Sequence, residues 1–266
     1  MAPDLTFGPD GGNQWHYTRD SKTYDLTRGS GKNKFTLSTT QGPPDTKFEI
    51  DPAKSALVIV DMQNFFLDAK CRNHPTGLAA VDPLWKTIKK CRKVGIEIIW
   101  LNWGLTDDDL ATMPAGVQRG FANALIAQPE DPVRSGLGVD LGDGKGRTLV
   151  AGEWNSAIFP PLADAANSAD PRCAKNRMSG LWTPTQELWK HLSAAGTTTL
   201  LFAGVNTDQC VQGTLVDAYN AGWDCVLVDD CCGTTTLGGQ AVTVQNVAAY
   251  YGFVVDSKAI EAGTLT

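Results

Sequence analysis

The sequence predicts an α/β fold, an open and mostly parallel β-sheet with helices on both faces. Three observations predict it. Short continuous apolar runs recur along the chain, as in SALVIVD (55–61) and IEIIWL (96–101). Strands covered on both faces read this way, without the alternation of a half-exposed strand. Helix-length segments with one apolar face lie between the runs, so strand and helix alternate, and consecutive strands come out parallel.

The elements follow in chain order. Residues 1–50 are rich in Gly, Asp, Thr, Ser and Lys, with isolated aromatics at Trp15, Tyr17, Tyr24 and Phe35. No period of two or 3.6 holds for long there. They are expected to form an irregular arm, with room for short hairpins, whose aromatics dock on the main domain or on a neighbouring subunit. The main domain is expected at 51–266, with SALVIVD as its first strand. Asp82 is expected to cap a helix with Pro83 at its first position. That helix turns Leu84, Ile88 and Cys91 inward and its lysines outward, and Gly95 stops it before IEIIWL.

Residues 103–170 interrupt the rhythm. They hold a short helix near 114–126, a Gly-rich turn region SGLGVDLGDGKGR (135–147) and the proline pair at 160–161. This is an insertion over one end of the sheet, where ligands usually bind. GDGKGR lacks the order GxxxxGK[ST] and joins no strand to a helix, so it reads as a turn and not a phosphate loop. PRCAK (171–175), TTTLLFAG (197–204), WDCVLVDD (223–230) and GFVVD (252–256) are the remaining strands. Helices are expected at 183–195, 210–221 and 238–250.

Bulk properties narrow the function. A chain of 266 residues and 28.5 kDa suits one large domain. Net charge is −6, the pI is near 5.0, and no Lys/Arg run exceeds two residues, which argues against a nucleic-acid partner. No apolar run approaches the ~18 residues of a membrane span. The start MAPDLTFGPDGGNQW lacks the basic and apolar regions of a secretory signal, so a cytoplasmic protein is expected. The seven cysteines (71, 91, 173, 210, 225, 231 and 232) are odd in number and form no CxxC. Reduced thiols are expected, the vicinal Cys231–Cys232 pair included, with neither a disulfide framework nor a zinc knuckle.

In an open α/β sheet the reactive groups gather beyond the carboxyl ends of the strands. Asp61 follows the first strand, Asn102 and Trp103 the second, and Lys175 the third. The turn AGVNTDQC follows the fourth and sets Cys210 at the start of a helix. A carboxylate, an ammonium and a thiol from three strands are thus expected to converge. The helix N-terminus and the ammonium are expected to lower the thiol pKa, and the carboxylate to take its proton. The three histidines offer no rival base: His16 lies in the arm, His74 in a loop beside Pro75, and His191 inside a helix.

Asp61 in ALVIVDMQNFF, Lys175 in KNRMSG and Cys210 in GVNTDQCV together resemble the isochorismatase-like cysteine hydrolases, over residues 55–256. That superfamily includes nicotinamidases and N-carbamoylsarcosine, biuret and ureidoacrylate amidohydrolases. The resemblance implies a three-layer α/β/α fold around a six-stranded, mostly parallel sheet. It implies Asp61 as base, Lys175 as the group that tunes the charges, and Cys210 as nucleophile. It also implies a non-proline cis peptide between Val205 and Asn206, with the N–H groups of Asn206 and Cys210 as the oxyanion hole. Dimers or tetramers are usual in the superfamily, so a homodimer or homotetramer is expected.

The departures from family patterns matter too. Metal-dependent nicotinamidases place D-x-H after the second strand; here the chain reads Asn102-Trp103-Gly104, and no histidine follows until His191. No metal and no other cofactor is therefore expected. Keeping Cys210 favours hydrolysis of a C–N bond in a small carboxamide or ureide, with isochorismate vinyl-ether hydrolysis as the alternative. IIWLNWG and K-x-R-x-S-G look closest to the ureidoacrylate and biuret enzymes. Candidate substrate-binding residues are Gln63, Phe66, Asn102, Trp103, Arg177 and Trp182. Trp103, Trp154 and Trp182 would wall a planar substrate or simply pack; Arg177 and Gln63 would anchor it or brace loops.

Overall fold

The computed structural model describes residues 3–29, 33–127 and 136–266. The N-terminal fifty residues carry five short strands: β1 (Leu5–Phe7), β2 (Trp15–Thr18), β3 (Thr23–Asp25), β4 (Phe35–Ser38) and β5 (Lys47–Ile50). The expected apolar runs then become β6 (Ser55–Val60), β7 (Glu97–Trp103), β8 (Arg172–Lys175), β9 (Thr199–Val205), β10 (Asp224–Gly233) and β11 (Phe253–Val255). These six form one sheet in the order β11-β10-β9-β6-β7-β8, and every neighbouring pair is parallel. The α/β class with a six-stranded parallel sheet is as expected. β6 and β9 are buried along their whole length, which is why their sequences lack alternation.

The helices are α1 (Asn64–Leu67), α2 (Pro75–Ala79), α3 (Val81–Val94), α4 (Asp107–Ala111), α5 (Ala115–Ala127), α6 (Pro160–Ala163), α7 (Glu187–Ala195), α8 (Gln212–Ala221), α9 (Gly239–Asn246) and α10 (Ser257–Ala262). Chain order reverses between β6 and β9. Right-handed crossovers running outward from that reversal put α3 and α8 on opposite faces of the sheet. α3 buries Leu84, Ile88 and Cys91 as its periodicity requires, and Gly95 ends it in the left-handed conformation at φ 91°. Its start differs from the expectation, because Ala80 and not Asp82 stands at the N-cap position. Pro75 has already opened α2, so the chain reaches Asp82 in helical conformation, and Asp82 sits in the first turn of α3 where its charge suits the dipole. Among the described residues no helix is long and apolar enough to cross a membrane.

The N-terminal arm has the short hairpins and the docked aromatics expected of it, but it is more regular than expected. Its strands join the C-terminal strand β12 (Thr264–Leu265) in a second six-stranded sheet, ordered β1-β2-β3-β5-β4-β12. Strands of two to four residues are too short to display a period in sequence. Their partners lie up to the far end of the chain. This sheet docks on the main one through aromatic packing, with Phe48 stacked on Phe253 at 4.6 Å and Tyr24 edge-on to it at 5.3 Å. Asp224, buried at the amino end of β10, accepts two bonds from Arg28 (2.7 Å each), one from Trp15 Nε1 (2.8 Å) and one from Thr199 (2.9 Å).

Candidate active site

The reversal of strand order puts the carboxyl ends of β6 and β9 side by side, the usual place for a ligand cleft in an open α/β sheet. Asp61 leaves β6 at φ 53°, a left-handed conformation that costs a non-glycine residue about 1–3 kcal/mol. Two backbone bonds hold it there, Asp61 N–H to Leu101 O (2.9 Å) and Gln63 N–H to Asp61 O (2.8 Å). β9 can lie close alongside because residue 204 is glycine: at φ 119° an added Cβ would stand 2.0 Å from Val60 O. The next peptide, Val205–Asn206, is cis. A π turn at Thr207–Val211 follows, and it carries Cys210 into α8.

Asp61, Lys175 and Cys210 meet as expected. Lys175 Nζ lies 3.0 Å from Asp61 Oδ2 and 3.4 Å from Cys210 Sγ, and donates to Arg177 O at 3.1 Å. It also stands 3.9 Å above the Trp103 ring, a cation–π contact that helps hold the ammonium in the interior. The Trp103 N–H is shared by Asp61 Oδ1 and Gln63 Oε1, each at 3.1 Å. All three reactive side chains are almost wholly buried, Cys210 keeping 3% of its surface.

Burial governs the protonation. Desolvation pushes the Asp61 carboxyl up, against the opposing pull of Lys175. It also pushes the Cys210 thiol up to about 12; Lys175 pulls it down, and the Asp61 charge and hydrogen bond add to the rise. The expectation of a lowered thiol pKa is therefore corrected: desolvation outweighs the pull of the Lys175 ammonium. The thiol thus keeps its proton and is hydrogen-bonded to Asp61.

The other candidates divide. Gln63 is fully buried, its Nε2 bonded to Trp103 O (2.8 Å) and Ser156 O (2.7 Å), so it braces the loops and is not placed as a substrate anchor. Strand alternation turns Asn102 to the face opposite Trp103, and the structure does not bring it to the triad. Phe66 packs edge-on against Phe65 in the core. Trp103 floors the site under Lys175. Trp154 packs half-buried beneath Lys70. Trp182 is 46% exposed, bonds Asn176 through Nε1 and lies 5.0 Å from the Arg177 guanidinium. Arg177 also reaches Met113 Sδ (3.3 Å) and Asn176 O (2.7 Å). Arg177 and Trp182 thus lie together on the segment after β8, where it is the Arg177 backbone carbonyl that touches Lys175.

Two residues were missed. Met178 sits in the quoted KNRMSG segment, partly exposed, and its Sδ lies 3.2 Å from Cys210 Sγ. His74 is 132 residues from Asn206 in sequence, yet its Nε2 lies 2.6 Å from Asn206 Oδ1. No local signal could have paired them. Among the described residues, no group of three or more His, Cys, Asp or Glu side chains is arranged to hold a metal ion.

Comparison with known proteins finds relatives of this chain in sequence and in fold. A family model described as isochorismatase domain matches residues 55–259. The chain is 27% identical over 215 residues to the ureidoacrylate amidohydrolase RutB of Rhizobium rhizogenes, covering 77% of this chain and 81% of that one. An isochorismatase family protein from Desulfovibrio vulgaris superposes with a TM-score of 0.61 at 22% identity, over 79% of this chain and 97% of the other. N-carbamoylsarcosine amidase from Thermoplasma acidophilum gives 0.55 at 20% identity, over 77% and 96%.

Proposed function

The chain belongs to the isochorismatase domain family of hydrolases, and from that premise we propose that it cleaves a C–N bond in a small carboxamide or ureide through a thioester on Cys210. One observation carries the reading: a buried thiol in contact with both a carboxylate and an ammonium. The relatives named as ureidoacrylate amidohydrolases support the bond type.

Asp61 takes the Sγ proton as the sulfur attacks the substrate carbonyl carbon, and Lys175 balances the charge that passes between carboxylate and thiolate. The carbonyl oxygen becomes an oxyanion, received by the backbone N–H groups of Asn206 and Cys210. When the tetrahedral species collapses, the C–N bond breaks and Asp61 returns its proton to the leaving nitrogen, releasing ammonia or an amine. Water then gives a proton to Asp61 and attacks the thioester. The C–S bond breaks, and the proton returns to sulfur.

The test is ammonia release from biuret, N-carbamoyl acids, ureidoacrylate and nicotinamide, comparing the wild type with Cys210→Ala, with isochorismate consumption followed in parallel. The expected result is ammonia from one or two of these compounds, lost by at least ~10³-fold in the variant. Isochorismate consumed equally by both proteins, with no ammonia, would make the vinyl-ether reaction the answer.

A further inference from the structure

His74 is buried with 2% of its surface exposed, and both ring nitrogens are engaged. Nδ1 accepts the backbone N–H of Gly77 at 2.9 Å, capping α2. A neutral imidazole that accepts at Nδ1 carries its proton on Nε2. Nε2–H therefore donates to Asn206 Oδ1, at 2.6 Å.

The frame on the His74 side is rigid. Thr76 Oγ1 donates to Thr234 O at 2.7 Å, tying the first turn of α2 to the end of β10. Gly233 packs so closely beneath that turn that an added Cβ would stand 2.6 Å from Gly77 N. On the other side, the Asn206 carbonyl accepts the N–H groups of Gln209 (3.1 Å) and Val211 (3.2 Å) in the turn that carries Cys210. Asn206 is thus fixed at its carbonyl by the nucleophile's turn and at its side chain by His74.

We propose that His74 is a positioning residue for the reaction, acting through the Asn206 side chain to hold the Asn206 backbone N–H where the oxyanion forms. This rests on the Asn206 N–H being an oxyanion donor, as in the function proposed above. It assigns the histidine no proton transfer.

The experiment uses p-nitrophenyl acetate, an activated ester that acylates a thiol whatever the natural substrate is. Nitrophenolate release is followed alongside ammonia release from the best C–N substrate, and melting is recorded for every variant. His74→Ala is expected to slow acylation at saturation about 10- to 100-fold, with KM changed less than about twofold. His74→Gln, whose amide can still donate, should recover to within about threefold of wild type. Asn206→Ala keeps the backbone N–H and loses the side-chain amide that His74 holds, so it should be slowed as His74→Ala is. The double variant should be no slower than either single one, since both remove the same link.

Additive losses, a change in KM alone, or an unslowed His74→Ala would overturn the proposal. Should His74→Ala not fold, Asn206→Ala decides: acylation at the wild-type rate overturns the proposal, and a tenfold loss at unchanged melting temperature supports it. If the ester follows the expected pattern and no C–N substrate is hydrolysed, His74 keeps its role and the amidohydrolase reading falls. If wild-type Cys210 is not acylated at all, both fall.

Discussion

At Asp61 two demands conflict. In the proposed reaction the carboxyl must be ionised to take the Cys210 proton, yet burial raises its pKa above the ordinary 3.8. Activity should therefore fall as pH falls through that raised value, with the acid limb of kcat/KM above the usual carboxylate range. On the alkaline side the thiol holds its proton until about 12, so its ionisation sets no limit near neutrality. Stability runs the other way. A carboxyl whose folded pKa is raised binds its proton more tightly in the native state, so its contribution is present below the unfolded value and lost as pH rises through the folded one. A pH profile of kcat/KM checks the first point; the limb belongs to the Asp61–Cys210 pair and not to one residue. Asp61→Asn should remain folded and lose about 10²- to 10⁴-fold in kcat. Full activity in that variant would remove Asp61 from the role of base.

Among the elements, β9 is the one that places the chemistry. Its buried run was plain in the sequence, and so was the polar turn after it, but the reason for Gly204 was not. The glycine faces Val60 O on β6 at a distance no side chain tolerates, in a conformation that L-residues avoid. Gly204→Ala should cost about 3 kcal/mol or more, because either the backbone or the β6–β9 ladder must shift. For a chain of this size that is a fall of about 6 °C or more in Tm, measurable by thermal denaturation. The start of α3 shows the opposite case. Asp82-Pro83 has the right residue types for a helix start, but the preceding Pro75 turn had already made the chain helical. Propensity identified the residues that favour a start and not which start the packing uses.

For the whole molecule, the two sheets are held together at the end of β10 farthest from the active site. Asp224 gathers Arg28, Trp15 and Thr199 there, with the Arg28 side chain 17% exposed and that of Asp224 2%. Arg28→Met leaves a buried carboxylate without its cation and should destabilise by about 3 kcal/mol, the low end for a buried pair because the arginine is partly solvated. Limited proteolysis should then cut within residues 3–29 sooner than in the wild type. Because Asp224 lies at the amino end of its strand and the triad at the carboxyl ends, kcat should stay within about twofold. A large loss of kcat in the folded variant would mean that the N-terminal sheet reaches the site.

The sequence by itself determined the parallel sheet and the placing of Asp61, Lys175 and Cys210 at or just beyond strand ends, while the reversal that sets β6 beside β9 came from the structure. Each rests on a local property: an apolar run, a helical period, or a polar residue where a run stops. Tertiary structure decided the rest. The N-terminal sheet escaped because its strands are too short to show a period and pair with the far end of the chain. Asn102 and Gln63 carried suitable chemistry, but strand alternation turned one away and loop carbonyls occupied the other. The thiol's proton could not be placed from sequence, because a pKa set by desolvation depends on how completely other segments cover the site. The contacts of His74 with Asn206 and of Met178 with Cys210 were hidden for the same reason, since each forms only when distant parts of the chain come together.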